Sequence, residues 1–240
     1  MIDINPEARP EPQTIALGPK QELTVIRKGD MYFHDAEFCF QHWQSCTTCH
    51  PDSRADGLNW DLLNDGIGNP KQTKSMLLSH KTPPSMITGI RETAETAVRK
   101  GMQFIQFVVR PEEDAVAIDE YLKSLTPVPS PYLVKGKLSP AAKRGEKLYK
   151  EAKCDSCHPS KLYTDMNRYN VGTGIGSEKD KELDVPALVE IWRSGPYLYD
   201  GRATTIEEVL TKFNKKDEHG KTSKMTPEQI KDLAEYVLSL

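Results

Sequence analysis

The chain has 240 residues, a length that suits one large domain or two small ones. Its 32 basic and 35 acidic residues are interleaved for a net charge of −3, so no basic stripe marks a nucleic-acid surface. No apolar run approaches the ~20 residues of a membrane-spanning helix.

Residues 1–22 read as an N-terminal extension. Met1-Ile2-Asp3-Ile4-Asn5-Pro6 lacks the basic and apolar regions of a signal peptide. Pro6 to Pro19 is proline-rich and linker-like. The first domain is expected over 23–126. Lys28-Gly29-Asp30-Met31-Tyr32-Phe33 is followed by Cys39, a small buried hydrophobe by its type. Next comes Cys46-Thr47-Thr48-Cys49-His50. Pro111-Glu112-Glu113 opens a helix that turns Ala115, Ile118, Tyr121, Leu122 and Leu125 inward. A stiff linker over 127–137 follows, with Pro127, Pro129 and Pro131.

The second domain is expected over 138–240. Ser139-Pro140 starts a helix that runs into Cys154-Asp155-Ser156-Cys157-His158. Thr226-Pro227-Glu228-Gln229 supplies an N-cap, a first-turn proline and a capping box. Ile230, Leu233, Ala234, Val237 and Leu238 then fall on one helical face.

The repeated Cys-X-X-Cys-His is the attachment signature of a c-type haem. Two thiols at this spacing add to the two vinyl groups of one porphyrin, and the next residue, His, becomes the proximal iron ligand. A zinc site or redox dithiol fits less well: the two pairs are too far apart for a ribbon, and neither follows a β-rich run. Two covalent haems are therefore expected, on Cys46, Cys49 and His50 and on Cys154, Cys157 and His158. Hydrophobic residues make up 37% of the chain and aromatics 8%, little for two independent cores, and a porphyrin supplies the missing apolar mass.

The chain also reads as an internal duplication. Arg144-Gly145-Glu146-Lys147-Leu148-Tyr149 repeats the run from Lys28 to Phe33. Ala234 to Leu240 repeats Asp119 to Leu125. Pro196 through Gly201 and Glu207 repeat Pro84 through Gly89 and Glu95. An insertion in the first copy holds or adjoins Cys39, His42 and Trp43. The fold class expected is mostly α: two tandem cytochrome c-like helical domains, each around one haem.

With these motifs, the duplication and Pro196-Tyr197-Leu198-Tyr199-Asp200-Gly201, the chain resembles the bacterial di-haem cytochrome c peroxidase and MauG superfamily. It is most similar to a branch often fused behind β-propeller domains, through Trp43-Gln44-Ser45-Cys46, Asp61 to Gly66 and Thr82-Pro83-Pro84. The resemblance implies oxidoreductase chemistry, with electrons passing between two haems and hydrogen peroxide reduced at the N-terminal one. It also implies an electron donor such as a small cytochrome or cupredoxin. An exported, periplasmic location follows from c-type haem attachment, so either a signal has been removed or the segment belongs to a longer exported protein. A non-enzymatic electron-transfer module of a larger exported redox protein is the alternative, and a sensor of diatomic gas a minor one.

The chain departs from the peroxidase pattern at several positions. Ile87 stands where peroxidases carry a relay Trp. The distal Glu has no match near Phe107, with Gln103 and Gln106 the neighbours that could act on a bound ligand. A calcium ion between the domains is implied, at positions that read Gln72, Ser194 and Pro196 here. No His occurs near Gly66, where relatives close the first haem, so that haem is expected to be open. His80, His34, His42, Met86 and Met102 are the rival ligands. For the second haem, the usual ligand position is Phe213, which cannot bind iron. Tyr199 is the candidate there, against a hydrogen-bonding role, with Met225 and His219 behind it.

Overall fold

A computed structural model describes residues 14–16, 18–19, 22–62 and 67–240. Most of the N-terminal extension lies outside them, as does Gly66.

The first half is built on α1 (Val25–His34) and closes with α3 (Ala94–Phe104) and α4 (Glu112–Ser124). The second half is built on α5 (Pro140–Glu151) and closes with α6 (Ile206–Leu210) and α7 (Pro227–Leu238). Between α1 and α3 lie the single turn α2 (Cys46–Cys49) and the pair β1 (Asn59–Trp60) and β2 (Lys71–Gln72). The second half repeats that pair as β3 (Arg168–Tyr169) and β4 (Leu183–Asp184). Helix starts follow local chemistry. The hydroxyls of Thr24, Ser139 and Thr226 accept from Arg27 N, Ala142 N and Gln229 N, and Gln229 returns the bond to Thr226 N.

Each half has one helix crossing, α1 on α4 and α5 on α7, made possible by a glycine. A Cβ on Gly29 would lie 1.8 Å from the Ala117 carbonyl oxygen, and one on Gly145 would lie 1.9 Å from that of Asp232. Only a hydrogen lets the backbones approach so closely. The approach buries Phe33, Ile118 and Leu122 in the first half and Leu148, Tyr149, Leu233 and Val237 in the second. Each fully buried large side chain contributes roughly 1.5–3 kcal/mol.

The halves meet with approximate two-fold symmetry. Gln72 N on β2 donates to the Tyr199 carbonyl at 2.8 Å, and Asp184 N on β4 donates to the Ile87 carbonyl at 2.9 Å. Tyr199 and Ile87 occupy matching places in the repeat, so each half lays its short ribbon on the same segment of the other. The linker is fastened as well: Ser130 Oγ donates to the Leu238 carbonyl, and Val134 bridges Lys137. Among the described residues no helix is long and apolar enough to cross a membrane.

Candidate haem-binding sites

Both pentapeptides fold as one tight turn. In α2, Ser45 and Thr48 form a capping box, and His50 N donates to the Cys46 carbonyl at 3.0 Å. In the second motif His158 N donates to the Cys154 carbonyl at 2.9 Å. The turn thus carries two thiols and an imidazole together, the arrangement that vinyl addition and proximal ligation need. None of the four motif cysteines is paired in a disulfide.

The proximal rings are oriented alike. His50 Nδ1 lies 3.0 Å from the Arg54 carbonyl, and His158 Nδ1 lies 2.8 Å from the Tyr163 carbonyl. A carbonyl can only accept, so each Nδ1 carries the proton and each Nε2 keeps its lone pair for a metal. Burial lowers the affinity of both rings for a second proton.

The outer sides differ. The His219 ring faces His158 with ring centroids 6.5 Å apart, and its Nδ1 is buried without a partner. Two imidazoles bound through nitrogen at about 2.0 Å on opposite sides of one metal would place their centres roughly 6.3 Å apart. The spacing therefore fits one iron between the two rings. Burial and the neighbouring His158 hold His219 down to about 4, so it is a neutral ligand at neutral pH. Asn214 fixes the loop. Its Oδ1 accepts from His219 N at 2.8 Å, and its Nδ2 donates to the carbonyls of His219 and Gly220 and to Thr222 Oγ1. Among the described residues no histidine ring faces His50 in this way.

The other candidates are placed as follows. Both ring nitrogens of His80 are committed, Nε2 to Asp119 at 3.0 Å and Nδ1 to Ser79 Oγ at 3.3 Å, which leaves neither for iron in this arrangement. His34 Nδ1 bonds the Asp30 carbonyl one turn back. Met102 is packed in the core with Phe33 and Leu122, and Met225 lies against the second core. The Tyr199 hydroxyl lies 3.3 Å from both Ile175 N and Ile175 O, a hydrogen-bonding role. The Phe213 ring lies under Arg202 and Lys212. Gln103 is exposed and takes a bond from Lys100. Gln106 is buried with neither amide atom partnered, and its amide lies beside the Cys46 thiol.

The insertion before the first motif wraps the end of α3. Phe40 N and Cys39 Sγ both donate to the Gln106 carbonyl, and Gln44 Nε2 donates to that of Ile105. These bonds satisfy the carbonyls of the two residues that follow α3. Phe40, Gln41, Trp43 and Phe107 then line a cavity of about 560 Å³ open to solvent. His42 lies in the same stretch with positive φ, as does Met86 further on.

For calcium the fit is poor. Pro196 and Gln72 both border Gly201, but Gln72 leaves an N–H donor unpartnered, and Ser194 Oγ donates to the Glu190 carbonyl. Lys71, the residue before Gln72, brings a buried ammonium paired with Glu178. Among the described residues no cluster of three or more His, Cys, Asp or Glu side chains is disposed to hold a metal ion.

Comparison with known proteins agrees with this architecture. Residues 142–240 match the cytochrome c family model. Hydrazine synthase subunit gamma from Kuenenia stuttgartiensis is 29% identical over 92% of this chain and 78% of its own length. A structure of hydrazine synthase from the same organism, under xenon pressure, superposes with a TM-score of 0.87 at 26% identity, covering 95% of this chain and 98% of that one. A MauG-like protein associated with microbial copper homeostasis gives 0.70 at 17% identity, over 95% and 92% of the two chains. The di-haem peroxidase BthA from Burkholderia thailandensis gives 0.70 at 13%, over 92% and 86%.

Proposed function

From a cytochrome c domain set in the fold of the MauG-like and di-haem peroxidase proteins, we propose that this chain is a di-haem c-type oxidoreductase with one closed and one open site. The observation that carries the reading is the facing pair His158 and His219, which has no counterpart at His50 among the described residues. A bound c-type haem supplies reversible one-electron storage and, where its sixth position is free, a place for a small ligand. His158 and His219 hold the C-terminal site as a relay. Cys46, Cys49 and His50 hold the N-terminal site, where the buried amide of Gln106, beside Cys46, offers a hydrogen bond.

Gln106 cannot shuttle a proton as a carboxylate can, and proton transfer contributes typically 10²–10⁴-fold. That weighs against peroxide as the preferred substrate. The likeness to a subunit of hydrazine synthase favours a small inorganic nitrogen substrate and a place in a larger redox assembly. Peroxide reduction, supported by the likeness to BthA in fold alone, is the second reading. An exported location follows from c-type attachment. The electron donor is a small carrier, a cytochrome or cupredoxin with an acidic face, because the His219 loop carries Lys212, Lys215, Lys216, Lys221 and Lys224 against Asp217 and Glu218. Calcium is not part of the proposal.

Electron paramagnetic resonance of the ferric protein tests this directly. One low-spin bis-histidine signal and one iron that binds added cyanide or nitric oxide are expected, with two haems by pyridine haemochrome assay. Replacing Cys154 and Cys157 with Ala removes only the low-spin signal. Two low-spin irons that both resist cyanide would overturn the open site. Stopped-flow mixing of reduced protein with peroxide, and separately with nitric oxide, decides between the substrates.

A further inference from the structure

Arg54 is both the residue whose carbonyl faces His50 Nδ1 and one side of a buried ion pair between the halves. Its Nε donates to Glu190 Oε2 at 2.8 Å and its Nη2 to Glu190 Oε1 at 2.9 Å. The remaining guanidinium donors reach the carbonyls of Asp52 at 3.1 Å and Thr126 at 3.2 Å. Glu190 Oε1 also accepts from Val128 N at 2.5 Å, and Glu190 N donates to the Leu240 carbonyl at 3.1 Å. Arg193 flanks the pair, reaching Asp52 at 3.1 Å and Glu190 at 3.8 Å. Both partners are nearly inaccessible, at 7% and 2% of side-chain surface. One guanidinium thus fixes the loop after the first haem motif, the start of the linker and the second half at once.

The duplication makes this pair informative. Glu190 occupies the place that Leu78 occupies in the first half, and both have the left-handed backbone conformation at the head of a 3₁₀ turn. At the other proximal histidine the accepting carbonyl belongs to Tyr163, whose hydroxyl lies 3.5 Å from that of Tyr236 within its own half. The two nearly equivalent positions differ in that, among the described residues, the accepting residue at His50 is itself ion-paired to the opposite half, through Arg54 and Glu190, whereas Tyr163 carries no charge.

We propose that Arg54 and Glu190 are positioning residues for His50, through which the second half sets the redox potential of the N-terminal haem. This rests on the two-haem reading above. The hydrogen bond from a ligating imidazole to a carbonyl governs how much electron density the ring gives to iron. A carbonyl held rigidly by a bidentate Arg–carboxylate pair keeps that bond, 3.0 Å here, in place and the oxidised state favoured. Releasing the loop weakens the bond and favours reduction. Glu190→Gln also leaves the guanidinium charge uncompensated close to the site, which acts in the same direction. The C-terminal haem, whose histidine leans on Tyr163, is insulated from the change.

The test is spectropotentiometric titration of the matured two-haem protein, resolving both haems, in Glu190→Gln, Arg54→Lys and the double variant Arg54→Met with Glu190→Leu. The double variant removes the pair without leaving a buried charge alone, so it keeps the fold available if a single variant fails. In Glu190→Gln the reduced-to-oxidised ratio of the N-terminal haem at fixed ambient potential should rise at least tenfold, about 59 mV for one electron. The C-terminal haem should not move. Arg54→Lys, which keeps the charge but not the fork, should give a smaller shift of the same sign. An N-terminal potential unchanged in the double variant, or an equal shift of both haems, would make the pair purely structural and overturn the proposal. A haemochrome count taken on each variant separates this from failure of the two-haem reading, which would show as one haem in the unmodified protein.

Discussion

His219 stands across from His158 with ring centroids 6.5 Å apart although 61 positions separate them in sequence, and Asn214 holds shut the loop that carries His219. This pairing replaces Tyr199 and Met225 as the candidate for the sixth ligand of the C-terminal haem. His219→Ala should convert that haem from low-spin to high-spin, with added imidazole restoring the original spectrum. Tyr199→Phe should leave the spectrum as it is, because the hydroxyl serves only Ile175. The ferric optical and paramagnetic spectra check both, and an unaltered His219→Ala spectrum would return the ligand to another residue.

The two helix crossings predict opposite outcomes for alanine substitutions at glycine. Gly29→Ala and Gly145→Ala would press a methyl group into a backbone carbonyl, since each Cβ would lie under 2 Å from oxygen. Each should destabilise by about 3 kcal/mol or more, the upper range for overpacking. Gly101→Ala on α3 meets nothing within 4 Å and should stabilise by about 0.5–1 kcal/mol through helix propensity. Urea unfolding followed by circular dichroism measures all three.

Asp119 is buried between His80 and Arg99. Burial alone would push its carboxyl up, but hydrogen bonds from His80 and Arg99 and their charges hold it below the usual carboxylate value. A lowered folded pKa means stability that is complete above the unfolded value, near 3.9, and lost as pH falls through the folded one. Asp119→Asn should therefore cost about 3 kcal/mol at neutral pH, the scale of breaking a buried pair. It should also flatten the acid limb of stability against pH below about 4. Thermal melts across pH 2–7 check the shape of the curve.

The lysines of the His219 loop predict a salt-dependent encounter. The chain as a whole carries a net charge of −3, yet residues 212–224 hold five lysines and two acidic residues. A Cβ built on Gly220 in this loop would lie 3.6 Å from Cys154 Sγ, so the positive charge lies beside the second Cys-X-X-Cys-His turn. Reduction by an acidic carrier, with plant-type ferredoxin as the probe, should slow with rising ionic strength. Lys215→Glu with Lys216→Glu should lower the second-order rate by about tenfold at low salt. The same reversal at Lys135 and Lys137 in the linker should leave it within about twofold.

The sequence by itself determined where two thiols and a histidine come together in each half, because all three lie within one turn. It determined the helices for the same reason. Thr226 and Gln229 cap α7 as their spacing predicts, and Ser139-Pro140 opens α5. It also determined the duplication, which the structure extends to paired glycines at the crossings and reciprocal bonds from Gln72 and Asp184. What only the tertiary structure decided are meetings between segments remote in sequence. His80, whose position alone made it a ligand candidate, is drawn to Asp119 on α4. His219, set behind Tyr199 because family spacing pointed elsewhere, is brought to His158 by an asparagine whose three donated bonds fold the loop back on itself. Arg54 and Glu190 carry no motif at all, and their pairing follows from two backbones that packing brings together in a place where neither charge could be buried alone.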